Sequence, residues 1–215
     1  MGETADKSRK RVNGVTLRPA KTQTAVVVQL LPPKSLVTSA DTATSLEDRA
    51  LQFARAAHEA VDQRRKHTGE PYIVHPVAVA NIVRSVPHTE EMIAAALLHD
   101  VVEDTNVGLD AIRAGFGSGV AELVGWLTDV SRPSDGNRRA RKKLDLDHLA
   151  QAPAEAQTIK FADLIDNSKT ISRHDRQFWP IYRREMLALL DALTRGSDEL
   201  RQRALEAADV SRPRR

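Results

Sequence analysis

The 215-residue chain contains no cysteine. That excludes a disulfide framework, a thiolate nucleophile and a cysteine-based zinc site, and leaves no mark of an oxidising compartment, so a cytoplasmic location is the expectation. Long apolar runs are missing too: none approaches the roughly 20 residues of a membrane span. The nearest, Ala25-Val26-Val27-Val28-Gln29-Leu30-Leu31, is short, interrupted by Gln29 and followed by Pro32-Pro33 with no small-residue cleavage site, which argues against an export signal. Aromatic residues are only 4% of the chain, with no base-stacking or helix-turn-helix pattern, and this speaks against a nucleic-acid partner.

What is present is a modest excess of positive charge, +3 in all, concentrated in Arg9-Lys10-Arg11, Arg64-Arg65-Lys66, Arg138 to Lys143 and the Arg212 to Arg215 tail. Such clusters attract phosphate, and a phosphorylated small molecule fits them at least as well as nucleic acid. Residues 1–40 are polar and read as a disordered tail, 41–210 as one helical domain, and 211–215 as a basic end. No period-2 stretch of any length occurs in the folded region, so the fold class is all-α.

Within that domain Ser45 is expected to open a helix whose apolar positions, Ala50, Phe53, Ala54, Ala57 and Val61, recur at helical spacing. A second helix follows Tyr72-Ile73-Val74-His75-Pro76, with Pro76 in its first turn, and Thr89 caps a third. Leu109 to Ala114 should stop at Gly115. Further helices carry Val120 to Leu127, Arg138 to about Ala150, Ile159 to Ile165 after Pro153, Ile181 to Leu190, and the last segment to about Val210.

The stretch that demands explanation is Ala94-Ala95-Ala96-Leu97-Leu98-His99-Asp100-Val101-Val102-Glu103-Asp104-Thr105. At 3.6 residues per turn, His99 stacks over Glu103 and Asp100 over Asp104 on the last turn of one helix. Three acids at a helix C-terminus meet the negative end of the macrodipole, an unfavourable placement that a bound cation would relieve. A solvated helix end would carry such charges as well, but the preceding turns are apolar all round, as in a buried helix. His99 and Asp100 offer one nitrogen and one oxygen donor, a suitable pair for a hard or borderline divalent metal. His75, fixed by the following proline, and Asp163, inside an apolar helix, are further candidates, although His75 taken alone reads rather as a structural histidine and Asp163 alone also as a buried acid paired with arginine.

Ala57 to Asn167 reads A-H-x6-R-K-H-T-G-E-P-Y-I-V-H-P-x-A-V-A, then A-A-L-L-H-D-V-V-E-D-T, F-G-x-x-V-x-E-L-V and I-K-F-A-D-L-I-D-N. This resembles the hydrolase domain of the RelA/SpoT alarmone enzymes, within the HD superfamily of metal-dependent phosphohydrolases, and most of all the stand-alone small alarmone hydrolases of the Mesh type. The resemblance implies an HD-domain helical bundle holding Mn²⁺ on His75, His99, Asp100 and Asp163, with Glu103 and Asp104 as the catalytic acid pair. It implies hydrolysis of the 3′-pyrophosphate of ppGpp or pppGpp to GDP or GTP and pyrophosphate. Arg65 and Lys66 would frame the nucleotide, together with Lys160 and with Asn167 on the ribose side. Arg141 and Lys142 of the basic helix are expected to face the site. One departure stands out: where the family has A-D-R-L-H-N or A-D-K-L-Y-N, this chain has Ala162-Asp163-Leu164-Ile165-Asp166-Asn167. Asp166 would add negative charge near the nucleotide pocket and could redirect the enzyme to ppApp, NADPH or another nucleotide. A non-catalytic alarmone- or nucleic-acid-binding module is the alternative of a different class. Oligomeric state is not legible.

Overall fold

A computed structural model describes residues 44–209. The expected tails at 1–40 and 211–215 lie outside the described residues. Among the described residues there is no strand, only an isolated bridge between Arg64 and Pro71 that pins the loop joining the first two helices.

Helix α1 spans Leu46–Glu59 and opens at Ser45, whose hydroxyl accepts from the Asp48 amide at 3.0 Å. Its buried positions, Ala50, Phe53, Ala54, Ala57 and His58, form one stripe. Val61 was expected on that stripe, but the helix ends first and Val61 is exposed. Asp62 follows with φ +49°, in the left-handed region. Helix α2 (Val74–Val83) carries Pro76 in its first turn, where the missing amide costs nothing. Helix α3 (Glu90–Leu98) starts at Thr89, which accepts from the Met92 amide, and every residue from Met92 to Leu98 is buried. An all-round apolar helix can be satisfied only at the centre, and α3 indeed packs against α1, α2 and two later helices.

The expectation of one continuous helix through Asp104 is corrected. Helix α3 stops at Leu98, and a four-residue helix α4 (Val101–Asp104) begins after His99 and Asp100. The physical reason lies at His99, whose Nδ1 sits 2.8 Å from the Ala96 carbonyl. The side chain thereby competes for an acceptor of the last turn, one of the recognised causes of a helix break. The break places His99 and Asp100 at the corner rather than on an exposed helix end.

Helix α5 (Leu109–Phe116) runs through Gly115, the expected stop, and ends at Gly117, whose φ of +91° suits glycine. Helix α6 (Ser118–Leu127) then leads to a short 3₁₀ turn at Pro133–Asp135. Helix α7 (Arg138–Leu149) is capped by Asn137. Helix α8 (Ala154–His174) is the longest, and Ala156, Ile159, Phe161, Ala162, Leu164 and Ile165 bury it against α2, α6 and the last helix. Helices α9 (Trp179–Ala192) and α10 (Asp198–Asp209) complete the bundle. Three segments of distant sequence, the start of α2, the α3–α4 corner and the middle of α8, thus converge beside one core.

Candidate metal centre and its cleft

His75, His99 and Asp163 are all buried, and their ligating atoms lie within 4.8 Å of one another. His75 Nε2 is 3.2 Å from Asp163 Oδ1 and 3.5 Å from Asp100 Oδ2. His99 Nε2 is 3.2 Å from Asp100 Oδ2 and 3.9 Å from Asp163 Oδ1. Donors about 2.1 Å from one ion in tetrahedral or octahedral array stand about 3.0–3.4 Å apart, so this set has suitable spacing for a first-row divalent cation.

The surrounding hydrogen bonds point the donors inward. His99 Nδ1 faces the Ala96 carbonyl and must carry its proton there, which leaves the Nε2 lone pair turned to the cluster. That Nε2 is buried without a hydrogen-bond partner, an orphaned acceptor that a cation would satisfy. The Tyr72 hydroxyl donates to Asp100 Oδ2 at 2.6 Å. Asn167 Nδ2 donates to Asp163 Oδ1 at 2.6 Å, and Lys160 Nζ lies 2.8 Å from Asp163 Oδ2. Two imidazoles and two carboxylates, each oriented by a second group, fit a divalent metal.

The charges are consistent with that polarity. Burial opposes the charged form of His75, but Asp163, Asp166 and Asp100 outweigh it and push its pKa up to about 9 in the metal-free protein. Burial would raise Asp100 and Asp163; the adjacent histidines, and Lys160 beside Asp163, instead hold both well below the ordinary carboxylate range. Burial and Asp100 push the Tyr72 phenol up, so it remains a donor.

Glu103 and Asp104 stand one turn beyond the corner and reach in different directions. Glu103 Oε2 accepts from the Asp129 amide at 3.3 Å. Enclosure by neighbouring atoms, then Asp129 and Asp100, push its pKa up to about 7 although the residue is exposed on one side. Asp104 Oδ2 accepts from Gln63 Nε2 at 2.8 Å, and Gln63 Oε1 is in turn 2.6 Å from His58 Nδ1. Burial and Asp100 raise the Asp104 pKa, while burial lowers that of His58 and keeps its ring neutral.

A cleft of about 750 Å³ opens beside this cluster, with Lys160 and Asp129 in its wall. Helix α7 lines it with Arg138, Arg139, Lys142, Lys143, Leu146 and Leu149, positions that share a face at helical spacing. Lys142 lines the cleft and pairs with Asp129 at 2.6 Å. Arg141 does not line it: one residue earlier, it turns about 100° away, and its Nε is buried without a partner. Arg65 reaches Asn167 Oδ1 at 3.3 Å and Asp166 Oδ2 at 3.5 Å, whereas Lys66 is largely exposed beside Asp175. Asp166, expected to burden the nucleotide pocket, has its Oδ2 turned onto His75.

Sequence reasoning missed Tyr72, Gln63, His58 and the direction of Asp166. Tyr72 stands three residues before His75, inside the G-E-P-Y block, and that position was the available signal. Gln63 carried none, since it sits in an irregular turn and meets Asp104 from 41 residues away.

Comparison with known proteins brings these observations together. A family model described as "HD domain" matches residues 50–191. This chain belongs to the HD-domain family. It is 35% identical over 138 residues to the Drosophila melanogaster guanosine-3′,5′-bis(diphosphate) 3′-pyrophosphohydrolase MESH1, covering 63% of this chain and 74% of that protein. The human MESH1 matches at 34% over 137 residues, with 62% and 74% covered. A Synechocystis protein named "probable guanosine-3′,5′-bis(diphosphate) 3′-pyrophosphohydrolase" is 38% identical over 126 residues, 57% of this chain. This chain spans only 16–17% of the length of that protein and its Aquifex aeolicus and Vibrio cholerae counterparts. Among solved structures, one titled "A metazoan ortholog of SpoT hydrolyzes ppGpp and plays a role in starvation responses" superposes with a TM-score of 0.69 at 28% identity, covering 80% of this chain and 98% of that one. The all-α HD-type fold is thereby established.

Proposed function

We propose that this protein is a Mn²⁺-dependent 3′-pyrophosphohydrolase of guanosine alarmones, converting ppGpp or pppGpp to GDP or GTP and pyrophosphate. The single observation that carries the reading is the convergence of buried His75, His99 and Asp163 with half-buried Asp100, with Glu103 and Asp104 one turn away, beside a basic cleft. The relatives that match over most of their length bear that activity in their names. Residues 41–210 form the catalytic unit in this reading, acting on a small nucleotide in the cytoplasm, with 1–40 and 211–215 as appendages.

His75, His99, Asp100 and Asp163 would hold the Mn²⁺, which would supply Lewis acidity to a water and to phosphoryl oxygen. The protein groups do the rest. Glu103, with a pKa near neutrality and its carboxyl tied to the Asp129 amide, accepts the proton of the attacking water. Asp104, held by Gln63, orients that water. Water adds to the phosphorus attached to the ribose 3′ oxygen, the P–O3′ bond breaks, and the nucleoside 3′ oxygen departs and takes up a proton. Arg139, Lys142, Lys143, Arg184 and Lys160 along the cleft offset polyphosphate charge, and Arg65, Lys66 and Asn167 are proposed to frame the nucleotide end. The apolar part of the cleft, with Trp126 stacked on His148 at 4.7 Å, provides area for the base.

The test is product analysis by ion-exchange chromatography after incubating the Mn²⁺-loaded protein with ppGpp, ppApp, NADPH and GTP separately. Pyrophosphate released from ppGpp, and lost in Asp100→Ala, is the expected result. Cleavage of another nucleotide alone would overturn the substrate and keep the chemistry. No cleavage by a metal-loaded protein would overturn the enzyme reading in favour of a binding module.

A further inference from the structure

The geometry points to Asp166 as the positioning residue of the metal ligand His75: its carboxylate fixes the imidazole with Nε2 free for the cation and strengthens that nitrogen as a donor. The inference rests on the reading that the His75 cluster holds a metal.

Helix α8 grips both nitrogens of one ring. Asp163 Oδ1 lies 3.2 Å from His75 Nε2, and Asp166 Oδ2, three residues further along the same face, lies 2.7 Å from Nδ1. His75 is buried, so neither nitrogen has water as an alternative partner. A carboxylate only accepts, so Nδ1 must donate to Asp166, and a cation that displaces the proton of Nε2 then meets its lone pair. A histidine ligand braced by an acid in this way is more basic and less free to rotate, and losing such a brace typically costs 10–100-fold in metal affinity.

Asp166 is itself held. Arg65 NH2 approaches its Oδ2 at 3.5 Å, while Arg65 NH1 donates to Asn167 Oδ1 at 3.3 Å and Asn167 Nδ2 donates to Asp163 Oδ1 at 2.6 Å. One guanidinium therefore reaches two metal ligands, His75 through Asp166 and Asp163 through Asn167. The side chains of Arg65 and Asp166 are only 11% and 16% exposed, so the pair belongs to the wall of the centre. An Asp166 that served instead to repel or select the nucleotide would not need an oxygen committed to His75.

The experiment is calorimetric titration of Mn²⁺ into the metal-stripped full chain, comparing wild type with Asp166→Asn, which keeps size and a carbonyl acceptor, and Asp166→Leu, which keeps neither. Circular dichroism checks that each variant retains its helices. The expected result is one Mn²⁺ per wild-type chain, a weaker Kd for Asp166→Asn and a loss of at least about tenfold for Asp166→Leu. At saturating Mn²⁺ the nucleotide KM of the variants should match wild type. Unchanged Mn²⁺ affinity with a shifted KM would overturn the proposal and return Asp166 to the nucleotide side. Absence of Mn²⁺ binding by wild type would overturn the metal centre and this proposal together, and is told apart from the first failure by the wild-type titration alone. A readout that needs no variant is the proton spectrum of the wild-type protein: a strongly deshielded, slowly exchanging His75 Nδ1 proton is expected, and its absence counts against the Asp166 contact.

Discussion

Lys160 Nζ lies 2.8 Å from Asp163 Oδ2, one turn apart on α8, so the buried carboxylate is neutralised from its own helix as well as from the histidines. The lysine side chain keeps 22% of its exposure, which places the pair between the surface and fully buried cases. Lys160→Met should therefore destabilise the metal-free protein by about 2 kcal/mol, measured by urea unfolding. An unchanged midpoint would mean that His75 and Asn167 alone hold Asp163.

Metal removal should lower stability because the four ligands converge only in the folded chain. With free Mn²⁺ at about 100 times its Kd, the native state gains about 2.7 kcal/mol. Scanning calorimetry with and without chelator checks this. The difference should vanish in Asp100→Ala, which removes a ligand and the acceptor of Tyr72.

The Glu103 pKa is raised, and the sign of its effect follows. In the metal-free protein, stability attached to this group is present below its ordinary pKa of 4.5 and is lost as pH rises through about 7. Glu103→Gln should flatten that loss in a pH series of thermal melts. In the proposed hydrolysis Glu103 acts as the base and must be ionised, so kcat/KM should rise with pH through its apparent pKa, with bound metal shifting that limb below 7. The glutamine variant should lose about 10²–10⁴-fold in kcat while still binding nucleotide.

Gly196 is a packing constraint where the turn between α9 and α10 meets α8. A Cβ there would stand 2.7 Å from Phe161 Cε2 and 2.9 Å from the Thr158 backbone nitrogen. Backbone cannot yield as a side chain tip can, so Gly196→Ala should cost about 1–3 kcal/mol in chemical denaturation and leave KM unchanged.

Much of this was legible in the residues because the relevant physics is local. Ser45 and Thr89 cap the helices they were expected to open, and the all-apolar Met92 to Leu98 run occupies the centre. Where the expectation failed, a local competitor had been overlooked. The His99 side chain takes the Ala96 carbonyl and breaks the helix, and Gly115 continues a helix that Gly117 ends. Arg141 and Lys142 are neighbours in sequence and part company in space: Lys142 lines the cleft and Arg141 does not.

Chain chemistry alone determined the fold class and offered the candidate donors, imidazoles and carboxylates within recognisable blocks, because helical periodicity and residue chemistry are short-range properties. Tertiary structure decided which atom meets which. Asp166 braces His75 across 91 residues, Gln63 holds Asp104 across 41, and Arg65 touches Asn167 across 102. Those pairings depend on how α2 and α8 rotate against α3, a matter of core packing that no spacing within a single helix contains.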